Sequence, residues 1–226
     1  SMAPSVAGLR VALGDLPGMV ASNGPPDHKG LTAEGDACTP AEALDVAAWG
    51  ESGPVALQMA EAGGALLAEF DRPDPPRVAR AIHFLLFLGF GAEAQQMVRA
   101  FAADMPERQV WLALARLVDG DADPASIFAT QTACATPAAL WAVLAQPASA
   151  GSVNSDAVVL AFSALPPHLR QHLGPPLIER FIRRNEMETV RRLQDTILRL
   201  PGAGDPALAV LQSTIALASG NAAEAE

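Results

Sequence analysis

Apolar side chains recur every three to four residues along most of this chain, which is the spacing of helices that pack on one face. The stretch 76–88 has a wide apolar face, so we expect it to be nearly surrounded by other helices. The stretch 186–199 is the most amphipathic, with Arg and Glu side chains opposite its apolar residues. The pattern predicts helices over 39–49, 54–70, 76–88, 91–104, 106–118, 124–131, 137–146, 154–164, 166–173, 175–184, 186–199 and 205–219.

The predicted helix starts share a short motif in which Thr or Asp is followed by Pro and Ala. It begins at Thr39, Asp123, Thr136 and Asp205. Thr and Asp side chains accept hydrogen bonds from the first free N–H groups of a helix, and Pro at the first helical position lacks a donor that would be unpaired there anyway. The motif therefore favours an all-α protein built from short helices that are joined by tight turns.

The two ends of the chain differ from this pattern. Turn-forming residues dominate 22–30, and 6–13 fits either a short strand or an extended arm. We expect residues 1–37 to form an irregular N-terminal arm and 38–226 to form one α-helical repeat domain. Ser1 and Met2 are typical of a cloning remnant, and the chain stops within the first turns of a helix. These ends predict a fragment of a longer, bacterial-type protein that is truncated at its C-terminus.

Internal repetition is visible at 89–95 and 220–226, which share the pattern G-x-[GA]-A-E-A-[QE] at an offset of 131 residues. This offset is close to four units of about 33 residues, a usual length for helix-pair repeats. In both segments Gly is expected to end a helix in the left-handed conformation. The sequence 205–226, and to a lesser degree 76–104, resembles the helix–turn–helix unit of tetratricopeptide repeats.

The resemblance implies antiparallel helix hairpins that stack into a right-handed superhelix, an α-solenoid, with a concave groove for peptides or protein segments. The chain departs from the family's pattern because it contains no Tyr. The expected function is therefore a non-catalytic protein–protein interaction scaffold. The alternative is a helical supporting domain of an enzyme, for example a cell-wall-active one, whose catalytic module lies outside this fragment.

The charge of the chain limits the classes of molecule that it is expected to bind. A net charge of −10 argues against nucleic acid, and no apolar run reaches the 18 residues that membrane insertion needs. Residues 170–199 are the exception, with seven Arg and four acidic side chains. Arg180, Arg184 and Arg191 are candidate binding residues for carboxylates, which would make the protein or peptide partner acidic. A solvated face with helical pairs such as Glu188–Arg192 is the favoured alternative, and docking against the acidic N-terminal half is a third.

Cys38 and Cys134 each lie just before a predicted helix that starts with Pro. They form either a disulfide, which closes a loop of about 95 residues, or two unrelated, partly buried thiols. A disulfide would indicate an oxidising compartment, so the sequence leaves a periplasmic or secreted protein and a cytoplasmic one as alternatives.

Candidates for catalysis and for metal binding are weak. His168 and His172 share one helix face, with Glu179 as a third ligand, but a zinc site needs three or four protein ligands in the correct arrangement. The 119–123 segment starts like a calcium loop, yet Thr130 stands where that loop requires Glu. We therefore predict a helix end followed by an N-cap at Asp123. The sequence predicts no catalytic residues, no metal and no cofactor.

Overall fold

A computed structural model describes residues 30–32, 35–50, 53–64, 66–69, 72–146, 151–199, 213, 215 and 216. This part of the chain is all-α, and its only extended pairings are the isolated bridges Leu31–Ala37 and Leu67–Pro73. Two short 3₁₀ helices, Ala41–Leu44 and Val46–Trp49, form what we call the 3₁₀ segment. The α-helices are α1 (Val55–Ala62), α2 (Pro75–Leu88), α3 (Gly91–Phe101), α4 (Arg108–Val118), α5 (Ala138–Ala145), α6 (Ser155–Ala164), α7 (Pro167–Arg183) and α8 (Met187–Leu198).

The start and end of α2 follow directly from its sequence. The side chain of Asp74 accepts a hydrogen bond from the N–H of Arg77 at 3.3 Å, and prolines occupy the first two helical positions. At the other end Gly89 adopts the left-handed conformation with φ 86°. The N–H of Phe90 then donates to the carbonyl of Leu85 at 2.9 Å, which closes the helix in the expected way. Only two residues, Gly89 and Phe90, separate α2 from α3.

The most completely buried helix is α5, in which all eight residues are buried. It packs against α4, α6 and α7, so apolar side chains are required on every side of it. The 76–88 stretch forms most of α2, which contacts the 3₁₀ segment, α1, α3, α4 and α7, in agreement with the expectation that other helices nearly surround it. Val78, Ile82 and Leu86 of α2 are fully buried, and its exposed residues lie in its first turns.

Several predicted helices differ from the observed ones. The 39–49 stretch forms the two 3₁₀ helices instead of one α-helix, and 124–131 contains only turns. The 54–70 prediction is too long, because α1 ends at Ala62 before two consecutive glycines, Gly63 and Gly64. None of the residues of α1 is buried, so tertiary packing does not extend this helix beyond its local limits.

The predicted break between 166–173 and 175–184 is also wrong, because α7 continues through Pro175 and Pro176. Proline inside a helix removes an N–H donor and crowds the preceding turn. Buried side chains on both sides of the prolines outweigh this loss: Leu169, Leu173, Leu177, Ile178 and Phe181. Gly174 allows α7 and α8 to pack closely at this point, since a Cβ atom there would collide with the side chain of Ile197 in α8.

Helices that follow each other in sequence pack together in most cases, as in α2–α3, α3–α4, α5–α6 and α7–α8. In addition α6 contacts α8, and α7 contacts both α5 and α2. The right-handed superhelix stays a prediction. Among the described helices none has the length and apolar character needed to cross a membrane. Residues 1–29 of the predicted arm, most of the 205–219 helix and the 220–226 motif lie outside the described residues.

Candidate functional site

The 3₁₀ segment is anchored to the turn before α5 by a disulfide and two hydrogen bonds. Cys38 and Cys134 are joined, with their Cα atoms 6.0 Å apart. The N–H of Thr39 donates to Oε1 of Gln131 at 2.7 Å, and the hydroxyl of Thr136 donates to the carbonyl of Thr39 at 2.9 Å. All three contacts join the residues just before this segment to residues more than 90 positions later, so they place it against the helical core.

The end of the same segment contributes to an aromatic cluster. Trp49 stacks on His83 of α2 with ring centroids 4.2 Å apart, and Trp111 of α4 meets the His83 ring edge-on at 5.5 Å. The indole N–H of Trp111 donates to Nε2 of His83 at 3.1 Å. Since Nε2 is the acceptor, the neutral ring carries its proton on Nδ1.

Burial disfavours the imidazolium form, so it lowers the pKa of His83 from its ordinary value of 6.5 to about 4, although the charge of Glu107 acts in the opposite direction. At neutral pH this histidine is therefore an uncharged packing and hydrogen-bonding group. The cluster fixes the 3₁₀ segment, α2 and α4 relative to one another.

A groove of about 690 Å³ lies where these three parts of the chain meet. Eight of its twelve lining residues are apolar: Pro40, Ala43, Pro75, Pro76, Ala79, Met105, Pro106 and Trp111. Its volume falls in the range of about 300–1,000 Å³ that is usual for ligand pockets. The remaining lining residues are His83 and three carboxylates, which makes the groove mainly apolar with an acidic border.

The three carboxylates of the groove belong to Glu42, Asp104 and Glu107, and all three residues are exposed. Glu42 lies in the 3₁₀ segment, and the other two lie in the turn between α3 and α4. Among the described residues none of the three side chains has an ion-pair or hydrogen-bond partner, and neither Arg nor Lys lines the groove. The border of the groove is therefore negatively charged at neutral pH.

A second, smaller concavity of about 260 Å³ lies on the other side of the 3₁₀ segment. Its walls include Leu44, Val46 and Leu140, with Glu42 and Asp45 as its acidic residues. The carboxylate of Glu42 thus borders both concavities. We take the larger groove as the candidate site because it combines greater volume, a rigid aromatic cluster and three carboxylates.

The structure assigns internal partners to Arg180, the first of the three predicted binding residues. Its guanidinium donates to the carbonyls of Leu144 and Gln146, both at 2.8 Å, and to that of Pro176 at 3.1 Å. The first two carbonyls lie at the C-terminal end of α5, where helix carbonyls lack intrahelical partners. Burial, followed by the charge of Arg183, lowers the pKa of Arg180. Arg180 therefore caps α5.

Arg184 and Arg191 face other partners. Arg184 contacts Glu186 at 2.6 Å and donates to the carbonyl of Gly151 at 3.1 Å. The side chain of Arg191 is 65 % exposed and lies 3.6 Å from Glu188. The expected pair between Glu188 and Arg192 is replaced by a contact of 2.7 Å between Arg192 and Asp156 of α6. A fork made of all three predicted arginines would first have to release Arg180 and Arg184 from these bonds.

The two histidines of α7 bind the ends of two different helices. Nε2 of His168 lies 2.6 Å from the carbonyl of Phe87 in α2, and Nε2 of His172 lies 2.7 Å from the carbonyl of Val118 in α4. Each ring therefore donates to a helix C-terminus, and the pair connects α7 to α2 and α4. Within the described ranges, His, Cys, Asp and Glu side chains form no group of three or more that would hold a metal ion.

The 119–123 segment forms a capped turn. Oδ1 of Asp123 accepts from the N–H of Ala125 at 3.0 Å and closes a turn; the predicted N-cap role is wrong, because no helix follows at 124–131. Arg116 contacts Asp121 at 3.0 Å and Asp123 at 2.6 Å, so a guanidinium occupies the position that a cation would need.

Comparison with protein families, with curated proteins and with solved structures finds no match to this chain. The likeness to tetratricopeptide repeats therefore stays a prediction from the residues, and the candidate site depends on its own geometry. Sequence reasoning missed this groove because its walls come from 40–43, 75–83 and 104–111, which share no local motif. The pairing of Cys38 with Cys134 would have placed the start of the 3₁₀ segment near the turn before α5, but nothing local in the sequence connects it to α2 or α4.

Proposed function

We propose that this chain is a non-catalytic protein-interaction module that binds a segment of a partner protein in the groove between the 3₁₀ segment, α2 and α4. The observation that carries the proposal is the groove itself, which has mainly apolar walls and polar groups at its border. Sites that bind peptides and small ligands combine these two properties, since apolar walls contribute affinity and border groups contribute specificity.

The groove is also held in shape before any partner binds. The disulfide anchors one wall, and the stacked rings of Trp49 and His83 connect that wall to α2. The hydrogen bond between Trp111 and His83 connects α2 to α4. A preformed groove loses little conformational entropy on binding, so more of the interaction free energy appears as affinity.

Two further features of the proposal concern architecture and location. We infer that the hairpins α2–α3 and α7–α8 belong to a right-handed superhelix, since successive helices pack pairwise along much of the chain. We also infer an oxidising compartment such as the periplasm, because structural disulfides persist there and are rare in the cytosol. Alkylation of thiols in native cells, followed by mass spectrometry, tests the compartment, and two modified cysteines would contradict it.

The experiment for the binding function is selection from a displayed library of 12-residue peptides on the full chain. Ala79 lines the groove within α2, so Ala79→Trp is expected to fill the groove. Ala92 is exposed in the first turn of α3 and outside the groove, and Ala92→Trp is the matched control. Both variants must first show the circular dichroism and melting temperature of a folded protein.

The proposal predicts peptides that bind the parent chain and the Ala92→Trp control but lose at least tenfold in affinity on Ala79→Trp. Peptides that bind all three proteins equally would place binding outside the groove and contradict the proposal. Absence of any enriched peptide would contradict it as well.

A further inference from the structure

We infer that the groove recognises a cationic partner segment, in which Arg or Lys side chains flank an apolar side chain. This inference rests on the proposed function and specifies the chemistry of the partner. It starts from the three carboxylates that line the groove, which come from two separate parts of the chain. Glu42 belongs to the 3₁₀ segment, whereas Asp104 and Glu107 belong to the turn before α4.

These three carboxylates have no internal partner among the described residues, in contrast to several acidic side chains that pair with arginines; exposed Glu69 and Glu93 share this property but do not line the groove. Asp121 and Asp123 share Arg116, Asp156 pairs with Arg192, and Glu186 pairs with Arg184. Among the described residues no such guanidinium lines the groove, so an incoming cation does not have to displace one of them. Three negative charges around one concavity attract a cation and repel an acidic segment.

The apolar surface of the groove indicates a second property of the partner segment. Ala79 of α2 and Met105 of the turn before α4 also line the groove, and both are half-buried. An aliphatic or aromatic side chain of the partner would cover this surface, whereas a purely basic segment would leave it exposed to water. The stems of Arg and Lys also pack along apolar surface while their charged ends stay at the border. The combination therefore favours alternating apolar and cationic side chains.

The net charge of the whole chain also favours a cationic partner. The net charge of −10 attracts cations over longer distances, and the smaller concavity beyond Glu42 adds the carboxylate of Asp45. This partner is opposite in charge to the acidic one expected from Arg180, Arg184 and Arg191. The difference follows from the internal bonds of Arg180 and Arg184, which leave the groove as the better supported surface.

The test uses the peptide library selected on the full chain, together with two triple variants. The groove variant is Glu42→Gln/Asp104→Asn/Glu107→Gln. The control is Glu69→Gln/Glu93→Gln/Asp195→Asn, which removes the same charge at exposed positions that do not line the groove. Each exposed ion pair is worth about 1.4-fold to fivefold in affinity, so we expect the groove variant, which loses three, to bind the selected peptides about threefold to 150-fold more weakly. The control is expected to stay within about twofold, and 0.5 M salt is expected to reduce the difference.

The outcomes distinguish a failure of this inference from a failure of the proposed function. Enrichment of Arg or Lys beside apolar residues, with affinity lost in the groove variant alone, supports the inference. Enrichment of neutral or acidic apolar peptides that Ala79→Trp still blocks would keep the groove as a binding site and overturn the cationic partner. Equal loss in both triple variants would show an effect of net charge only and would also overturn it.

A second copy of the chain is the competing occupant, because Arg183 and Arg191 are exposed cations on the same molecule. Sedimentation velocity over a hundredfold concentration range distinguishes this case. A monomer is expected throughout. Concentration-dependent association that the groove variant abolishes would assign the groove to self-assembly and overturn a separate partner.

Discussion

Removal of the disulfide between Cys38 and Cys134 is expected to destabilise the protein strongly. The bond joins residues that are 96 positions apart, and both cysteines are buried. A crosslink of this span restricts the unfolded chain far more than the folded one, since the folded state already holds the two residues together. Double replacement, Cys38→Ala/Cys134→Ala, removes the crosslink without adding buried hydroxyl groups.

The expected magnitude follows from the size of the closed loop. In the chain-entropy treatment, a loop of about 100 residues corresponds to about 4.7 kcal/mol at 25 °C. The hydrogen bonds of Thr39 to Gln131 and Thr136 remain in the variant, so the segment retains part of its attachment. We therefore expect the free energy of unfolding to fall by about 3–5 kcal/mol, a large share of the 5–15 kcal/mol typical of a domain.

The assay is urea unfolding followed by far-ultraviolet circular dichroism, on the oxidised protein and on the double variant. Without the crosslink the unfolded chain expands, so the dependence of the free energy on urea should become steeper as the midpoint falls. Reductant should shift the oxidised protein toward the variant and leave the variant unchanged.

Two results would refute this reasoning. A loss of less than about 1 kcal/mol in the free energy of unfolding would mean that the crosslink does not restrict the unfolded chain as much as a loop of this length predicts. Two titratable thiols in protein that was purified without reductant would show that the bond is not formed at all.

Three further changes test the structural roles of individual residues. Gly174→Ala should lower stability by about 1–3 kcal/mol because the added methyl group meets Ile197, whereas Gly30→Ala, with open space around it, should have little effect; chemical denaturation compares the two. Arg180→Ala should lower the free energy of unfolding by about 2–3 kcal/mol, because it leaves carbonyls at the end of α5 without a hydrogen-bond donor. Arg191 is exposed, so Arg191→Ala should change this free energy by less than about 0.5 kcal/mol, and equal losses in the two variants would contradict the capping role. Stability should fall as the pH is lowered from 6.5 to about 4, because His83 takes up its proton at a higher pH in the unfolded chain than in the folded one. The ring is partly exposed, so we expect a loss of only about 1–2 kcal/mol from this group. Unfolding curves of His83→Gln, measured over the same pH range, should lack this part of the pH dependence.

Local patterns in the sequence were sufficient for most helices. The cap at Asp74, the prolines that follow it and the left-handed Gly89 define both ends of α2 through contacts within a few residues. Such short-range signals are present in the sequence before any tertiary contact forms, so they predict helix limits well. The amphipathic pattern of α8 is equally local, and its residues Val190, Leu193 and Ile197 are buried as expected.

Predictions failed where long-range burial outweighed local preference. Pro175 and Pro176 predict a break, but apolar contacts on both sides keep α7 continuous. The 3₁₀ segment reads as an ordinary helix, yet its observed form is held against residues that are more than 90 positions away. The histidines of α7 suggested a metal pair by their spacing, but tertiary packing gives each of them a different helix end.

The sequence by itself determined the all-α class, the limits of several helices and the acidic character of the chain, since these depend on composition and on contacts between near neighbours. Only the tertiary structure decided which arginines are internal caps, which helix is fully buried and where a groove opens. Glu42, Asp104 and Glu107 acquire a shared role because the fold brings distant segments together, and no spacing along the chain encodes that proximity.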